Sequence, residues 1–450
     1  MLLILKYTPV IIQNVLISIY NTLQYTVRHS GQYKHYRKYY KSFAGKNYKE
    51  IEQEHKHRLD LFLQKSVKTS EWYQKYSGYT SLKDFPVLNK SDIINNLDEI
   101  VTIKESESVV SLTGGTTGAS MKVLYSKENI QERHAILDNF RAEYGYSLGK
   151  KCAWFSGKNI VTQQNINNGI CYRDDYINKI RFFSTFHITE ANFDVYWNSF
   201  CDFSPGFIVG FPSSVYELCL LAQIRGLKLD KKVVAFFPTA ETVLPVHRQV
   251  ISTVLGCTVV DQYASSEGAP FILECKSGRL HIHPLTGVFE VVDENMEHAN
   301  EGEILVTSFT TEGTPLIRYR IGDRIKLAAN DTYCECGSHF PLVDNIEGRS
   351  TDYITSPTHG KVNLGNISNS TKGVLGILQF QVIQKKLTEV DILVVASAEY
   401  TTIQQTKFIA ALTDRFGYEV KINHNIVDEL PREKSGKFRI VKNHLSMDKA

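Results

Sequence analysis

Between about residues 150 and 270 short apolar runs alternate with amphipathic stretches, and this alternation limits the fold more than any other feature of the chain. The runs at 179–186, 206–210, 232–237 and 257–261 read as strands. The stretches at 215–222 and 244–255 read as helices, the second closed by Gly256. Short apolar strands separated by helices imply a parallel sheet covered on both faces. In such sheets ligands bind where loops leave the carboxyl ends of strands. Two loops are expected at those ends, 238–242 (PTAET) and 262–268 (QYASSEG).

The segments around this sheet have a different character. From 279 to 328 the strands at 279–283, 287–292, 302–307 and 315–327 read as antiparallel hairpins. A domain boundary is expected near 350. Beyond it come alternating strands at 378–383 and 389–395, a helix at 402–416 and a strand at 418–422, which together make a small α+β unit. Residues 25–75 are basic and Tyr-rich and read as a helical layer. At 85–92 a loop is expected in which Asn89 or Ser91 caps the next helix, and Ser126 opens another.

Bulk properties exclude several classes. A chain of 450 residues implies two or three domains. A net charge of +3, with no basic stripe interleaved with aromatics, argues against nucleic acid binding. Eight cysteines are too dilute for a disulfide scaffold, and Cys152, Cys171, Cys201, Cys219 and Cys257 read as buried small hydrophobes. No uncharged apolar run is long enough for a transmembrane helix. Residues 1–20 are apolar but broken by Lys6, Pro9, Gln13 and Asn14, and they lack the marks of a signal peptide. From Val10 the apolar residues recur at helical spacing. That helix either packs on the domain or lies on a membrane surface, so the expected location is cytoplasmic or membrane-peripheral.

Residues 111–118 (SLTGGTTG) form a glycine-rich loop, with Lys122 nearby. Glycines allow tight turns and close approach of backbone to a ligand, and N–H groups and threonine hydroxyls in such a turn can point at phosphate oxygens. No Lys-Ser or Lys-Thr follows Gly118, so this is not a Walker A loop, and the glycine spacing does not fit a dinucleotide fingerprint.

Five stretches in order resemble the core motifs of adenylate-forming enzymes, the acyl-CoA synthetase superfamily. They are the 113–118 loop, Ala240-Glu241, 263–267 (YASSE), 319–323 (YRIGD) and 430–437 (LPREKSGK). The branch resembled is that of phenylacetate–CoA ligase and the capsular-polysaccharide CapK-like proteins, on 85–90 (FPVLNK), the N-terminal helix and 314–320 (TPLIRYR). The resemblance implies an α/β architecture. A large N-terminal adenylation domain is expected over 1–349, with parallel sheets, a small antiparallel subdomain and a helical layer over 1–80. A small mobile α+β lid is expected over 350–450, hinged near 350–352.

The resemblance also implies a chemistry. A carboxylic acid is joined to the α-phosphate of ATP, pyrophosphate leaves, and the acyl group passes to coenzyme A or to an amine acceptor, the latter in surface-polysaccharide synthesis. A relative that binds nucleotide without turnover is a further alternative. Thr113, Gly114, Gly115, Thr116, Thr117 and Gly118 are implied to hold the β- and γ-phosphates, and Glu267 to hold Mg2+, a hard cation that prefers carboxylate oxygen. Tyr263 is implied to stack on adenine in a pocket with Ala240, Glu241, Gln262, Ala264, Ser265 and Ser266. Asp323 takes the ribose hydroxyls, Arg349 meets the ribose or phosphate side, and Lys437 is the catalytic cation. Gly115 stands where a serine is more usual, and Ala264 and Ser265 replace the usual acyl-pocket pair, which leaves the acyl substrate open. The aromatics of 183–187 either line that pocket or pack the core.

Cys275, His281, Cys334 and Cys336 supply three thiols and one imidazole, the ligand set of a closed structural zinc site. His283 is the alternative imidazole, and free thiols in strand loops are the other reading. The resemblance implies zinc here.

Overall fold

The computed structural model describes residues 8–112, 121–158, 160–329, 332–347, 353–430 and 440–445. Three helices come first, α1 (Val10–His29), α2 (Tyr33–Ser42) and α3 (Tyr48–Thr69). Helix α3 starts at a capping box: Asn47 Oδ1 accepts the Glu50 N–H, and the Glu50 carboxylate accepts the Asn47 N–H, so two orphan donors of the first turn are satisfied. A hairpin of β1 (Val109–Leu112) and β2 (Lys122–Tyr125) precedes α4 (Lys127–Glu143), which Ser126 caps. Asn89, not Ser91, caps the short helix Lys90–Asn95, in a box with Asp92.

The alternating region forms a mainly parallel sheet that contains the four expected strands and two more, β3 and β4. Its strands are β3 (Cys152–Ser156), β4 (Tyr172–Asp175), β5 (Ile180–Ser184), β6 (Phe207–Gly210), β7 (Ala235–Pro238) and β8 (Thr258–Val259), in the order β4-β5-β3-β6-β7-β8. All pairs are parallel except β4 with β5. Helices α5 (Phe193–Phe203), α6 (Pro212–Ile224) and α7 (Pro245–Leu255) connect the strands. Both α6 and α7 begin with proline, whose missing N–H would have had no partner there. Gly256 closes α7 at φ 63°, a conformation that favours glycine. Phe155, Phe183, Phe200, Ile208, Leu218, Phe236 and Ile251 form one core.

The second sheet holds β9 (Gln262–Tyr263), β10 (Ile272–Glu274), β11 (Leu280–Ile282), β12 (Gly287–Val292), β13 (Glu301–Ser308), β14 (Tyr319–Leu327) and β15 (Leu342–Glu347). It is antiparallel throughout, in the order β12-β13-β14-β15-β11-β10-β9. The strand expected from 315 starts at Tyr319 because Arg318 sits at φ 51°, outside the extended region. The 85–90 and 314–320 stretches meet here. Leu88 N–H donates to Arg318 O at 3.1 Å, Arg320 N–H donates to Leu88 O at 2.9 Å, and Arg318 Nη1 reaches Phe85 O at 2.9 Å.

Past the hairpin of β16 (Tyr353–Ser356) and β17 (Gly360–Asn363) lie β18 (Ile377–Lys386), β19 (Glu389–Ala396), α8 (Thr402–Phe416), β20 (Lys421–Ile426) and β21 (Val441–Asn443). The four strands order as β20-β19-β18-β21 around Phe380, Ile392, Phe408 and Leu412. The strand expected at 418–422 is displaced toward the C-terminus. Gly417 turns at φ 91°, Val420 N–H bonds Gly417 O, and Tyr418 is 90% exposed, so pairing begins only at Lys421.

Candidate active site

The two loops expected to carry ligands leave different sheets and face one another. The first follows Pro238 at the carboxyl end of β7. The second starts within β9, at the edge of the antiparallel sheet. Gln262 Nε2 donates to Pro238 O at 3.0 Å and Arg141 Nη2 donates to Gln262 Oε1 at 3.3 Å, so this side chain ties the loops together. Ala240 is exposed with φ 65°, a left-handed conformation unusual for a residue with a Cβ. Glu241 Oε2 accepts the Ser213 N–H at 3.1 Å, at the start of α6. Its carboxyl is buried, which pushes its pKa up to about 7, and Oε1 has no hydrogen-bond partner. The Glu241 side chain is thus engaged at the start of α6.

Tyr263 and Glu267, on the second loop, are each bonded to a residue of β14. Tyr263 Oη donates to Asp323 Oδ2 at 2.8 Å, linking β9 to β14. Tyr319 Oη donates to the buried Glu267 Oε2 at 2.7 Å. Ser265 Oγ accepts the Glu267 N–H at 2.9 Å, while Ala264 and Ser266 are exposed. At the end of β1, Ser111 Oγ donates to Ser266 O at 3.0 Å. This brings the chain entering the glycine-rich loop to the residue beside Glu267. Lys122 on β2 is engaged elsewhere, in an ion pair with Glu105 at 2.9 Å. Thr113, Gly114, Gly115, Thr116, Thr117, Gly118, Arg349 and Lys437, with the 350–352 hinge, lie outside the described residues.

One positioning residue carries no motif of its own. Arg133, on α4, is buried and reaches under the 265–269 loop. Nη1 donates to Gly268 O at 3.0 Å, Ala269 O at 3.1 Å and Thr310 Oγ1 at 2.8 Å, and Nη2 donates to Ser265 O at 3.2 Å. Tyr125 Oη adds a bond to Ser266 O at 3.2 Å. Gly268 has φ 99°, and a Cβ there would meet Thr311 and Tyr125 at 2.3 and 2.6 Å, so the close packing requires glycine.

Of the 183–187 aromatics, Phe183 stacks on Phe155 at 4.9 Å between ring centres, and both Phe183 and Phe186 are fully buried. His187 is buried, with Nδ1 on Thr358 O at 3.0 Å. These residues pack the core.

Beside the site, at β10 and β11, the metal-binding atoms of Cys275, His281, Cys334 and Cys336 all lie within 4.8 Å of one another. Cys275 and Cys334 sulfurs are 3.6 Å apart, and Cys336 Sγ is 3.5 Å from His281 Nε2. Ligands about 2.3 Å from a common tetrahedral centre stand roughly 3.8 Å apart, so the donor set fits zinc. His281 Nδ1 is fixed on Phe340 O at 3.0 Å, which leaves Nε2 toward the thiols, and burial lowers its pKa and favours the neutral, ligating form. His283 is outside the group, edge-on to Tyr40 and tilted against Phe340.

Residues 354–444 match the family model described as the CapK C-terminal domain. Protein CapK of Staphylococcus aureus is 28% identical over 98% of this chain and 99% of its own length. Indoleacetate–lysine synthetase of Pseudomonas savastanoi is 23% identical over 75% of this chain and 83% of its own. A solved structure of 2-hydroxyisobutyryl-CoA ligase with 2-HIB-AMP and CoA superposes with a TM-score of 0.57 at 18% identity, covering 89% of this chain and 92% of that one. Along nearly its whole length the chain is therefore similar to CapK, its C-terminal region matches the CapK C-terminal domain, and its fold is that of 2-hydroxyisobutyryl-CoA ligase.

Proposed function

We propose that this chain is an ATP-dependent, AMP-forming ligase acting on a carboxylic acid. The observation that carries the reading is the convergence of Tyr263, Asp323, Glu267 and Ser111 on one loop junction. A carboxylate oxygen attacks the α-phosphorus of ATP, the bond to the bridging oxygen of the β-phosphate breaks, and pyrophosphate leaves. Both reactants are anionic, so the site must neutralise charge. Glu267 holds Mg2+, which when bound offsets the phosphate charge. Asp323, oriented by Tyr263, takes the ribose hydroxyls, and the Tyr263 ring covers adenine. Ala240, Glu241 through its backbone, Gln262, Ala264, Ser265 and Ser266 complete the nucleotide pocket. Residues 113–118 cradle the terminal phosphates, Arg349 serves the ribose or phosphate side, and Lys437 meets the reacting carboxylate. Residues 1–349 act as the adenylation domain, and 350–450 as a lid turning at 350–352, in the cytoplasm where ATP is supplied.

In the second half-reaction a nucleophile attacks the acyl carbon and AMP leaves. With coenzyme A the product is a thioester, and with an amine it is an amide, as surface-polysaccharide synthesis would use. The amine reading is favoured by the relative named for joining indoleacetate to lysine, since it aligns over three quarters of this chain. Mass spectrometry of reactions supplied with either acceptor separates the two. A thioester formed with coenzyme A, and no amide, selects the thiol, and the reverse selects the amine.

The thiol–imidazole cluster is assigned a structural zinc. Elemental analysis of the purified chain is expected to give one zinc per molecule, and Cys334→Ser to lose the metal and melt at a lower temperature. Equal metal content in the two proteins, or no zinc in the wild type, would refute that assignment.

A further inference from the structure

Helix α1 is turned the wrong way round for a helix packed on a globular core. Its inward residues are polar. Gln13 Oε1 accepts from Arg173 Nε at 2.7 Å, Asn14 Oδ1 from Asp174 N at 3.1 Å, and Ser18 Oγ from Tyr176 N at 2.9 Å, while Asn21 Nδ2 donates to Asp175 at 3.0 Å. These bonds along β4 and the turn after it fix the rotation of the helix, and Gln13, Asn14 and Ser18 are buried. The outward stripe is Ile11, Ile12, Val15, Leu16, Ile19, Tyr20 and Leu23, from 45% to 66% exposed. Tyr176, itself 54% exposed, lies against Asn14 and extends the apolar surface. Soluble proteins rarely leave so continuous an apolar face uncovered.

Charge indicates what covers it. Residues 1–49 contain eight lysines and arginines and no aspartate or glutamate, although the whole chain carries only +3. Lys34, Lys38 and Lys41 are exposed at helical spacing on α2, directly after the apolar helix. No helix of the described residues is long and apolar enough to cross a membrane. An exposed apolar stripe joined to an acid-free basic segment is the pattern of a helix that lies in an anionic lipid interface. From this we infer that α1 docks the protein on the surface of an anionic bilayer, with the stripe inserted and the α2 lysines over the headgroups.

Flotation of the full chain with vesicles tests this. Vesicles of phosphatidylcholine with one-fifth phosphatidylglycerol are expected to carry the protein at least about tenfold better than pure phosphatidylcholine, and less well as salt rises. The exposed double variant Leu16→Glu/Ile19→Glu should lose binding by a similar factor with an unchanged melting curve, and Leu16→Trp/Ile19→Trp should retain it. Equal recovery with both lipids, or full binding by the glutamate variant, would overturn the proposal. So would sedimentation showing a wild-type dimer that the glutamate variant makes monomeric, because a second copy would then cover the stripe.

Discussion

Glu267→Gln is expected to lower acid-dependent pyrophosphate release by about 10²–10³-fold, the usual effect of removing one preorganised electrostatic contact from a reacting centre. Glutamine keeps the shape and can still accept the Tyr319 hydroxyl bond, which is 2.7 Å in the structure, so the fold should be retained. What is lost is a buried negative charge at the place where the reading puts the metal. The Ser265 hydroxyl bond to the Glu267 backbone is untouched by the change. A coupled pyrophosphate assay with a parallel melting curve measures both effects. A variant that melts normally and keeps more than a tenth of wild-type activity would remove Glu267 from the metal site.

Arg133→Met should have the largest effect on stability, about 3–5 kcal/mol. Methionine fills much of the volume but leaves the carbonyls of Ser265, Gly268 and Ala269 without their donor, and each orphaned buried acceptor costs roughly 1–3 kcal/mol. The guanidinium also lies over the Phe271 ring at 4.5 Å, a contact that methionine replaces only in part. Burial pulls the Arg133 pKa below its ordinary range, and the carbonyls stand in for the lost water. Lysine should not rescue the site, since one ammonium cannot span acceptors that a planar fork reaches together. Denaturant unfolding measures the loss. A change under about 0.5 kcal/mol would mean that the 265–269 loop holds its shape without Arg133.

Periodicity made the two larger sheets legible because their strands are short, apolar and separated by helices or by turn residues. It missed β3, β10 and β15, and also β4, whose YRDD sequence lacks an apolar pattern. That strand pairs with β5 through its backbone, and its polar groups are taken up by α1. The strand boundaries at Arg318 and Gly417 were hidden because positive φ at those points comes from packing and turning, not from the run of apolar residues.

The site was legible where motifs are contiguous. The 263–267 and 319–323 stretches named the residues that the fold brings within hydrogen-bonding distance. Arg133 was not legible, because a basic residue within a helix usually reads as solvated and only the tertiary fold places it under the loop. Glu241 was legible by position but not by role: its side chain bonds the start of α6, a partner 28 residues away that the local motif does not contain. The thiol–imidazole cluster was legible by type, and the fold groups His281 with the thiols while His283 lies between the Tyr40 and Phe340 rings.

The most direct test of the central claim is pyrophosphate release from ATP and Mg2+ with a panel of aryl acetates, fatty acids, amino acids and uronic acids, run beside Lys437→Ala. Release that depends on one acid class and collapses in the variant is the predicted result, and it would name the acyl substrate. ATP binding with no release for any acid, or release unchanged in Lys437→Ala, would contradict the account.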